Sequence, residues 1–340
     1  MKKVTLKPAT EKDAQLIHQM QCEAFLPLYE KYHDDETSPA KESIERVKGR
    51  ITNLNSEYYL IQVDGENAGA IRAARKVVKK GEEKIIIQNV QYISPLFILP
   101  AFQNRGIAQE AMKQVFELYP DTITWKLDTI KQEAGNCHLY EKCGFVRIGK
   151  EHVVNENMTL VDYEKTNVTV RRFEEKDAEA VSNLICRNFL EVNSKDYGLK
   201  AMEKLAQSYD AAKVKQVASF AHMYVFEWQS KIVGVGAISS FWGSKKESIL
   251  LTIFVLPEHH GKGIGRTIIN TLEQDAFFTR AERVEIPASI TATEFYRKFG
   301  YNFKNGVKEL DDEGHYRLEK LRDVQSGEGS LTILHNKSKK

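Results

Sequence analysis

The chain has 340 residues, with 49 Lys and Arg against 47 Asp and Glu, a net charge of +2, and 42% hydrophobic residues. Such a make-up belongs to a core-forming protein; it excludes a disordered chain and a polycation that grips nucleic acid by bulk charge. At roughly 150 residues per domain, the length predicts two domains. No apolar run reaches the ~18 residues of a membrane span, and the N-terminal segment turns charged where a signal peptide needs its apolar stretch. The expectation is a cytoplasmic protein with no membrane and no nucleic acid among its partners. Cys22, Cys137, Cys143 and Cys186 are scattered and read as reduced thiols, with no metal site.

In chain order, residues 4–8 read as a strand, Asp13 caps a helix to about residue 28, and residues 40–53 read as a second helix. Residues 57–63, 69–78 and 84–99 are rich in β-branched and aromatic side chains and read as a meander, turning at Asp64-Gly65 and Lys80-Gly81. Pro95 cannot donate to a ladder, so it predicts a bulge or an edge in the third strand. A helix at 106–119, a strand at 122–128, a helix at 133–143 stopped by Gly144 and closing strands to 163 complete the first half. The second half repeats the plan, with strands near 168–172, 223–228, 232–240, 248–256 and 283–286. Its helices fall near 177–191, 198–208, 263–279 and 291–299.

Three matches in the same order show that the halves are copies. Glu11-Lys12-Asp13-Ala14 returns 164 residues later as Glu175-Lys176-Asp177-Ala178. The turn Pro100-Ala101-Phe102-Gln103-Asn104-Arg105-Gly106-Ile107-Ala108 corresponds to Pro257-Glu258-His259-His260-Gly261-Lys262-Gly263-Ile264-Gly265 at an offset of 157. Tyr140-Glu141-Lys142-Cys143-Gly144-Phe145 corresponds to Tyr296-Arg297-Lys298-Phe299-Gly300-Tyr301 at 156. The falling offset predicts about seven extra residues before the first glycine turn, placed in the helix-rich opening segment. Domains are expected at 1–164 and 168–322, with a flexible tail at 323–340.

A strand, a proline, a polar glycine turn and a helix place free backbone N–H groups at the positive end of a helix dipole, which suits an anion. Gly106 and Gly263 remove the Cβ that would keep a phosphate away, and Arg105 and Lys262 add charge. A Walker loop is excluded because Lys262 is followed by Gly263, and a dinucleotide fold because several strands precede the turn.

Gln103-Asn104-Arg105-Gly106-Ile107-Ala108 resembles the Gln/Arg-x-x-Gly-x-Gly/Ala signature of the Gcn5-related N-acetyltransferases (GNAT), and Leu139-Tyr140-Glu141-Lys142-Cys143-Gly144-Phe145 resembles their C-terminal helix motif. The second copy is similar through Gly261-Lys262-Gly263-Ile264-Gly265 and Phe295-Tyr296-Arg297-Lys298-Phe299-Gly300-Tyr301, with His260 at the first signature position. The resemblance implies an α/β tandem acyl-CoA N-acyltransferase fold, two similar domains each with a splayed mixed β-sheet flanked by helices. It implies acetyl-CoA as co-substrate, lying in the splay. Its pyrophosphate would meet Gln103, Asn104, Arg105, Gly106, Ile107 and Ala108, or His260, Gly261, Lys262, Gly263, Ile264 and Gly265. Its pantetheine arm would pair with the backbone at Ile98 and Leu99, or at Phe254 and Val255, and meet Asn136, where the second copy has Ala292.

Tyr140 and Tyr296 resemble the family tyrosine at the thioester sulfur and are the expected catalytic donors. The acceptor is expected to be a small-molecule or peptide amine. A lysine-like amine is over ~99% protonated at pH 7, so a proton must leave it. Residues 88–99 offer no carboxylate; Tyr92, Asp128, Glu247 and Glu285 lie near, and a water-relayed path is the default. The aromatic, acid-bearing stretch 25–36 reads either as a mouth for a cationic amine or as solvated loop charge. An acyl-CoA-binding module without transfer activity is the alternative for one or both copies, and monomer and homodimer both stay open.

Overall fold

The computed structural model describes residues 3–322, so the tail expected at 323–340 lies outside the described residues. The chain divides into two units: Met1–Val168 with Gly261–Gly263, and Thr169–His260 continuing from Ile264.

The first unit runs β1 (Val4–Pro8), α1 (Ala14–Tyr32), α2 (Ile44–Ile51), β2 (Ser56–Val63), β3 (Glu66–Lys80), β4 (Glu83–Ile98), α3 (Ile107–Leu118), β5 (Thr124–Ile130), α4 (Ala134–Lys142), β6 (Val146–Asn155) and β7 (Met158–Thr166). The sheet order is β1-β2-β3-β4-β5-β7-β6, and β4 and β5 are its parallel neighbours. The second unit runs β8 (Thr169–Arg172), α5 (Ala178–Asn188), α6 (Ser194–Tyr197), α7 (Leu199–Ser208), α8 (Ala211–Phe220), β9 (His222–Trp228), β10 (Lys231–Ser240) and β11 (Glu247–Val255). It continues through α9 (Ile264–Glu273), α10 (Ala276–Thr279), β12 (Arg283–Ala288), α11 (Thr293–Arg297), β13 (Asn302–Phe303) and β14 (Tyr316–Leu321). Its order, β13-β14-β12-β11-β10-β9-β8, repeats the first with β11 parallel to β12. Two mixed sheets flanked by helices make the class α/β, as the resemblance implied.

Several sequence expectations shift in detail. The helix expected at 40–53 is a 3-10 turn at Pro39–Lys41 followed by α2, which starts where the Ser43 hydroxyl accepts the Arg46 N–H. The helix expected at 263–279 breaks before Asp275, whose carboxylate caps α10. Four elements of the second unit lie outside the expected ranges: α6, α8, β13 and β14. The extra residues of the first copy are not in its opening segment. Gly69 pairs with Ile98 and Gly234 with Val255, so the offset is still 165 at the glycines and has dropped to 157 at their partners. The whole difference falls in the β3–β4 hairpin, where the strands have 15 and 16 residues against 10 and 9 in β10 and β11.

Helices cover both faces of the first sheet. Ala111, Met112 and Val115 of α3 pack with Ile71, Trp125 and Tyr163 on one side, while Ile17, Met20 and Val47 of α1 and α2 pack with Tyr58, Leu60 and Phe97 on the other. A buried carboxylate joins the latter pair of helices: Glu42 takes two bonds of 2.8 Å from Arg50 and one of 2.9 Å from Gln21. Glu42→Ala strands the guanidinium and is expected to destabilise the fold by about 3 kcal/mol, read as a lowered midpoint in thermal or urea unfolding.

Both sheets open in the middle. β4 pairs with β5 only from Val90 to Tyr92, and β11 with β12 only from Glu247 to Ile249; beyond these points each pair diverges. Both copies also carry a bulge in the strand before the glycine turn. In β4, Ser94 and Pro95 both face Arg72, whose Nη1 donates to the Ser94 carbonyl at 2.6 Å, as Pro95 predicted. In β11 the register shifts between Val235 and Ala237, and Thr252 stands at φ 54°. A β-branched residue in that left-handed region costs about 1–3 kcal/mol and persists only where its surroundings impose it.

Candidate active site

In the first copy, β4 ends in a short turn at Pro100–Phe102, and Asn104 (φ 61°) and Gly106 (φ 73°) then swing the chain into α3. The first helical bond reaches back from Glu110 N–H to the Gly106 carbonyl, so the N–H groups of Ile107, Ala108 and Gln109 have no acceptor within the helix. A Cβ on Gly106 would meet nothing nearer than the Gln109 Oε1 at 4.0 Å, so the space is open to a ligand. Gln103 is exposed, and its Nε2 donates to the Ile98 carbonyl at 2.9 Å and ties the turn to β4. Arg105 is exposed, with its guanidinium 5.8 Å from the Phe102 ring centre.

This turn forms one end of a cleft of 660 Å³. The cleft gathers Ile98, Gln103, Asn104, Gly106, Ile107, Ala108, Asn136 and Tyr140 among the expected site residues; Leu99 and Arg105 do not line it. Phe25 and Leu28, from the stretch read as a possible mouth, and Leu139 of the helix motif complete the wall, with Leu96, Gln109 and Glu133, which the sequence did not single out as site residues. Tyr140 is 8% exposed and packs against Phe145 and Tyr163. Its hydroxyl makes no hydrogen bond to any described residue, and burial first, then the charge of Asp128, holds its pKa well above that of an ordinary phenol.

Glu133, at the start of α4, accepts from Lys31 Nζ at 2.7 Å and Tyr32 Oη at 2.6 Å, and Asn155 Nδ2 donates to the Tyr32 carbonyl. The end of α1 is thereby fastened to α4 and to the β6–β7 turn. Two acids of the stretch 25–36 are spent locally, since Asp34 caps its own turn through Glu36 and Thr37 and Asp35 accepts from Tyr29.

Asp128 of β5 lies directly across from Asp162 of β7. It stays open to solvent, yet the surrounding protein raises its pKa and the facing Asp162 charge raises it further. His152 Nε2 sits 3.2 Å from Asp162 Oδ2. Tyr92 of β4 faces Lys126, and its phenol is raised by burial against the lowering pull of that ammonium.

The second copy preserves the frame with different contents. His260 Nε2 bonds the Val255 carbonyl at 2.8 Å, the same clasp that Gln103 makes on Ile98. Gly261 and Gly263 both have positive φ, and Phe254 and Val255 are half-buried at the end of β11. Ile264 joins the core. Gly265 is small for packing: a Cβ there would lie 3.0 Å from the Phe295 ring, which replaces Leu139. Tyr296 is 6% exposed, and its hydroxyl also has no partner among the described residues. The carboxylates expected as possible bases here are engaged: Glu247 with Arg283 at 2.8 Å, and Glu285 with Lys304 at 2.8 Å and Arg283 at 2.6 Å. Bonding to Arg283 lowers the pKa of Glu247; burial works to raise that of Glu285, and its two cations outweigh it.

The family model described as Acetyltransferase (GNAT) family matches residues 16–145 and again 182–301. The chain belongs to the GNAT acetyltransferase family. Among curated proteins, it is similar to the uncharacterized protein YrkN of Bacillus subtilis, 29% identical over 160 residues, which is 46% of this chain and 81% of that protein. Among solved structures, it is similar to the PaiA N-acetyltransferase from Thermoplasma acidophilum in complex with coenzyme A, with 16% identity and a TM-score of 0.41 over 46% of this chain and 100% of that one. An acetyl transferase from Salmonella typhimurium that modifies the N-terminal serine of ribosomal protein L7/L12 is 17% identical, with a TM-score of 0.37 over 48% of this chain and 94% of that one.

In this GNAT chain the matched motifs bring the turn, Asn136 and Tyr140 to one cleft. The Asp128–Asp162 pairing had no sequence signal of its own, because it depends on the register of β5 against β7. Among the described residues, no helix is long and apolar enough to cross a membrane.

Proposed function

We propose that the first copy transfers the acetyl group of acetyl-CoA to a primary amine, by direct attack of the amine while both are bound. The observation that carries this reading is the Tyr140 hydroxyl, without a hydrogen-bond partner among the described residues, at the wall of a cleft whose far end is an anion-accepting turn. A hydroxyl left without a protein partner at a cleft wall is free to donate to a ligand. Bound there, acetyl-CoA supplies an activated acyl group. The amides of residues 107–109 would hold its phosphates, with Arg105 adding charge from outside the cleft. Asn136 would meet the pantetheine arm, and the edge of β4 near Ile98 would run beside it. Tyr140 would donate to the negative charge that develops as the thioester breaks. Asp128 does not line the cleft, but its charge acts on Tyr140, and it is the base that would take the amine proton through water.

For the second copy the alternative has specific support. Both carboxylates expected as possible bases, Glu247 and Glu285, are ion-paired, which favours a module without transfer activity over a second transferase.

Calorimetric titration with acetyl-CoA and release of free CoA thiol across an amine panel test the reading. Gly106→Val places a branched side chain at a positive-φ position in the open space of the turn, so acetyl-CoA affinity should fall by about tenfold or more. Tight binding with no CoA release from any amine would sink the transferase reading.

A further inference from the structure

The first copy carries in its β3–β4 hairpin eight residues that its sister lacks, the difference between offsets of 165 and 157. There the ladder continues from Lys76 with Ile87 to Lys80 with Glu83. β2 accompanies β3 only to Ala74, and β5 accompanies β4 only from Val90. Residues 76–80 and 83–87 therefore form a two-stranded arm whose outer edges have no ladder partner among the described residues. A register shift between Arg75 and Lys76, with Asn89 at φ 60°, sets the arm off from the sheet. Cross-strand partners share a face, so Val78 and Ile85 lie on one side of the arm and Val77 and Ile86 on the other. Val77 is 40% exposed and Ile85 37%. A ribbon with β-branched residues on both faces is marginal in water, and an open apolar edge invites another strand.

The two edges are not equivalent. Antiparallel registers centred from Ile85 to Ile87 on a second copy place Lys84 opposite Ile86, Ile87, Gln88, Asn89 or Val90, never opposite another cation. On the β3 edge, registers centred on Val77 or just after it set Arg75 or Lys76 against Lys79. Like charges directly opposite are destabilising, so the β3 edge is guarded and the β4 edge is self-complementary.

We propose that the chain forms a two-fold homodimer in which the β4 edges of two arms pair antiparallel through Ile85, Ile86 and Ile87. The contact is isologous, each arm offering the same strand to the other, and it joins two ribbons into a four-stranded sheet. The arm contributes no residue to the cleft, so pairing leaves acetyl-CoA binding untouched.

Sedimentation velocity of the full chain over micromolar concentrations should show twice the chain mass. Ile86→Lys brings two ammonium groups together at the dyad and should weaken association by about a hundredfold or more. A chain with the hairpin shortened by eight residues to its sister's length should be monomeric, with acetyl-CoA affinity unchanged in both variants. Under mild oxidation Ile85→Cys or Ile86→Cys should cross-link two chains above the wild-type background, and Lys79→Cys should not. A wild-type chain that stays monomeric, or a dimer that survives the shortened hairpin, overturns the proposal. So does a monomer that binds an anionic polymer through Lys76 and Lys79, which would assign the arm to an acidic partner.

Discussion

Tyr140→Phe is expected to lower kcat by about 10²–10³-fold while acetyl-CoA affinity stays unchanged. The hydroxyl has no partner among the described residues, so its removal costs no hydrogen bond seen there and leaves the packing against Phe145 and Tyr163 intact. Its donor role is realised only as charge develops, so the loss falls on turnover and not on binding. An ordinary phenol near ~10 is already a weaker acid than a thiol near ~8.5. Burial moves Tyr140 further in that direction, so it acts by donating a hydrogen bond, and a full proton transfer to sulfur is disfavoured. Tyr296→Phe should leave total CoA release unchanged. A Tyr140→Phe enzyme with full kcat would remove the hydroxyl from the mechanism.

Asp128→Asn is expected to lower kcat/KM by about 10²-fold or more, without loss of stability. The folded-state pKa of Asp128 is raised from the ordinary 3.8, so its proton is held more tightly in the folded chain than in the unfolded one. That stabilisation is complete below the unfolded value and is lost as pH rises through the folded value. At neutral pH the ionised carboxylate facing Asp162 is a burden, and the neutral amide should leave Tm level or higher. In the wild type, kcat/KM should climb with pH through the raised carboxylate value; a lysine-like amine adds its own limb near pH ~10. Asp128→Asn should erase the lower limb, and Asp162→Asn should move it to lower pH by removing the facing charge. A variant that lost stability along with activity would mark Asp128 as structural.

Much of this arrangement is legible in the residues alone. The repeated turn and the Tyr-x-x-x-Gly-aromatic motif locate the cleft, because backbone amides and a helix start are encoded locally. What escaped depends on long-range register. Asp128 and Asp162 are brought face to face only by the β5–β7 pairing, and the engagement of Glu285 by Arg283 and Lys304 is a property of folded side chains. β13 has two residues, too few for an alternating pattern to show. The hairpin insertion was misplaced because three sequence anchors leave the interval from Ala14 to Pro100 undivided, and only the pairing of Gly69 with Ile98 resolves it.

The bulge shared by β4 and β11 has a consequence for how the duplicated halves can drift. One copy reaches it through a proline and the other through a threonine at φ 54°, residues with no chemical kinship. The two copies thus hold a similar path of the main chain with unlike side chains, so geometry persists here where identity does not. Exchanging the two side chains between the copies would put each into a strand shaped for the other, and ancestry at this site is better traced by strand register than by residue.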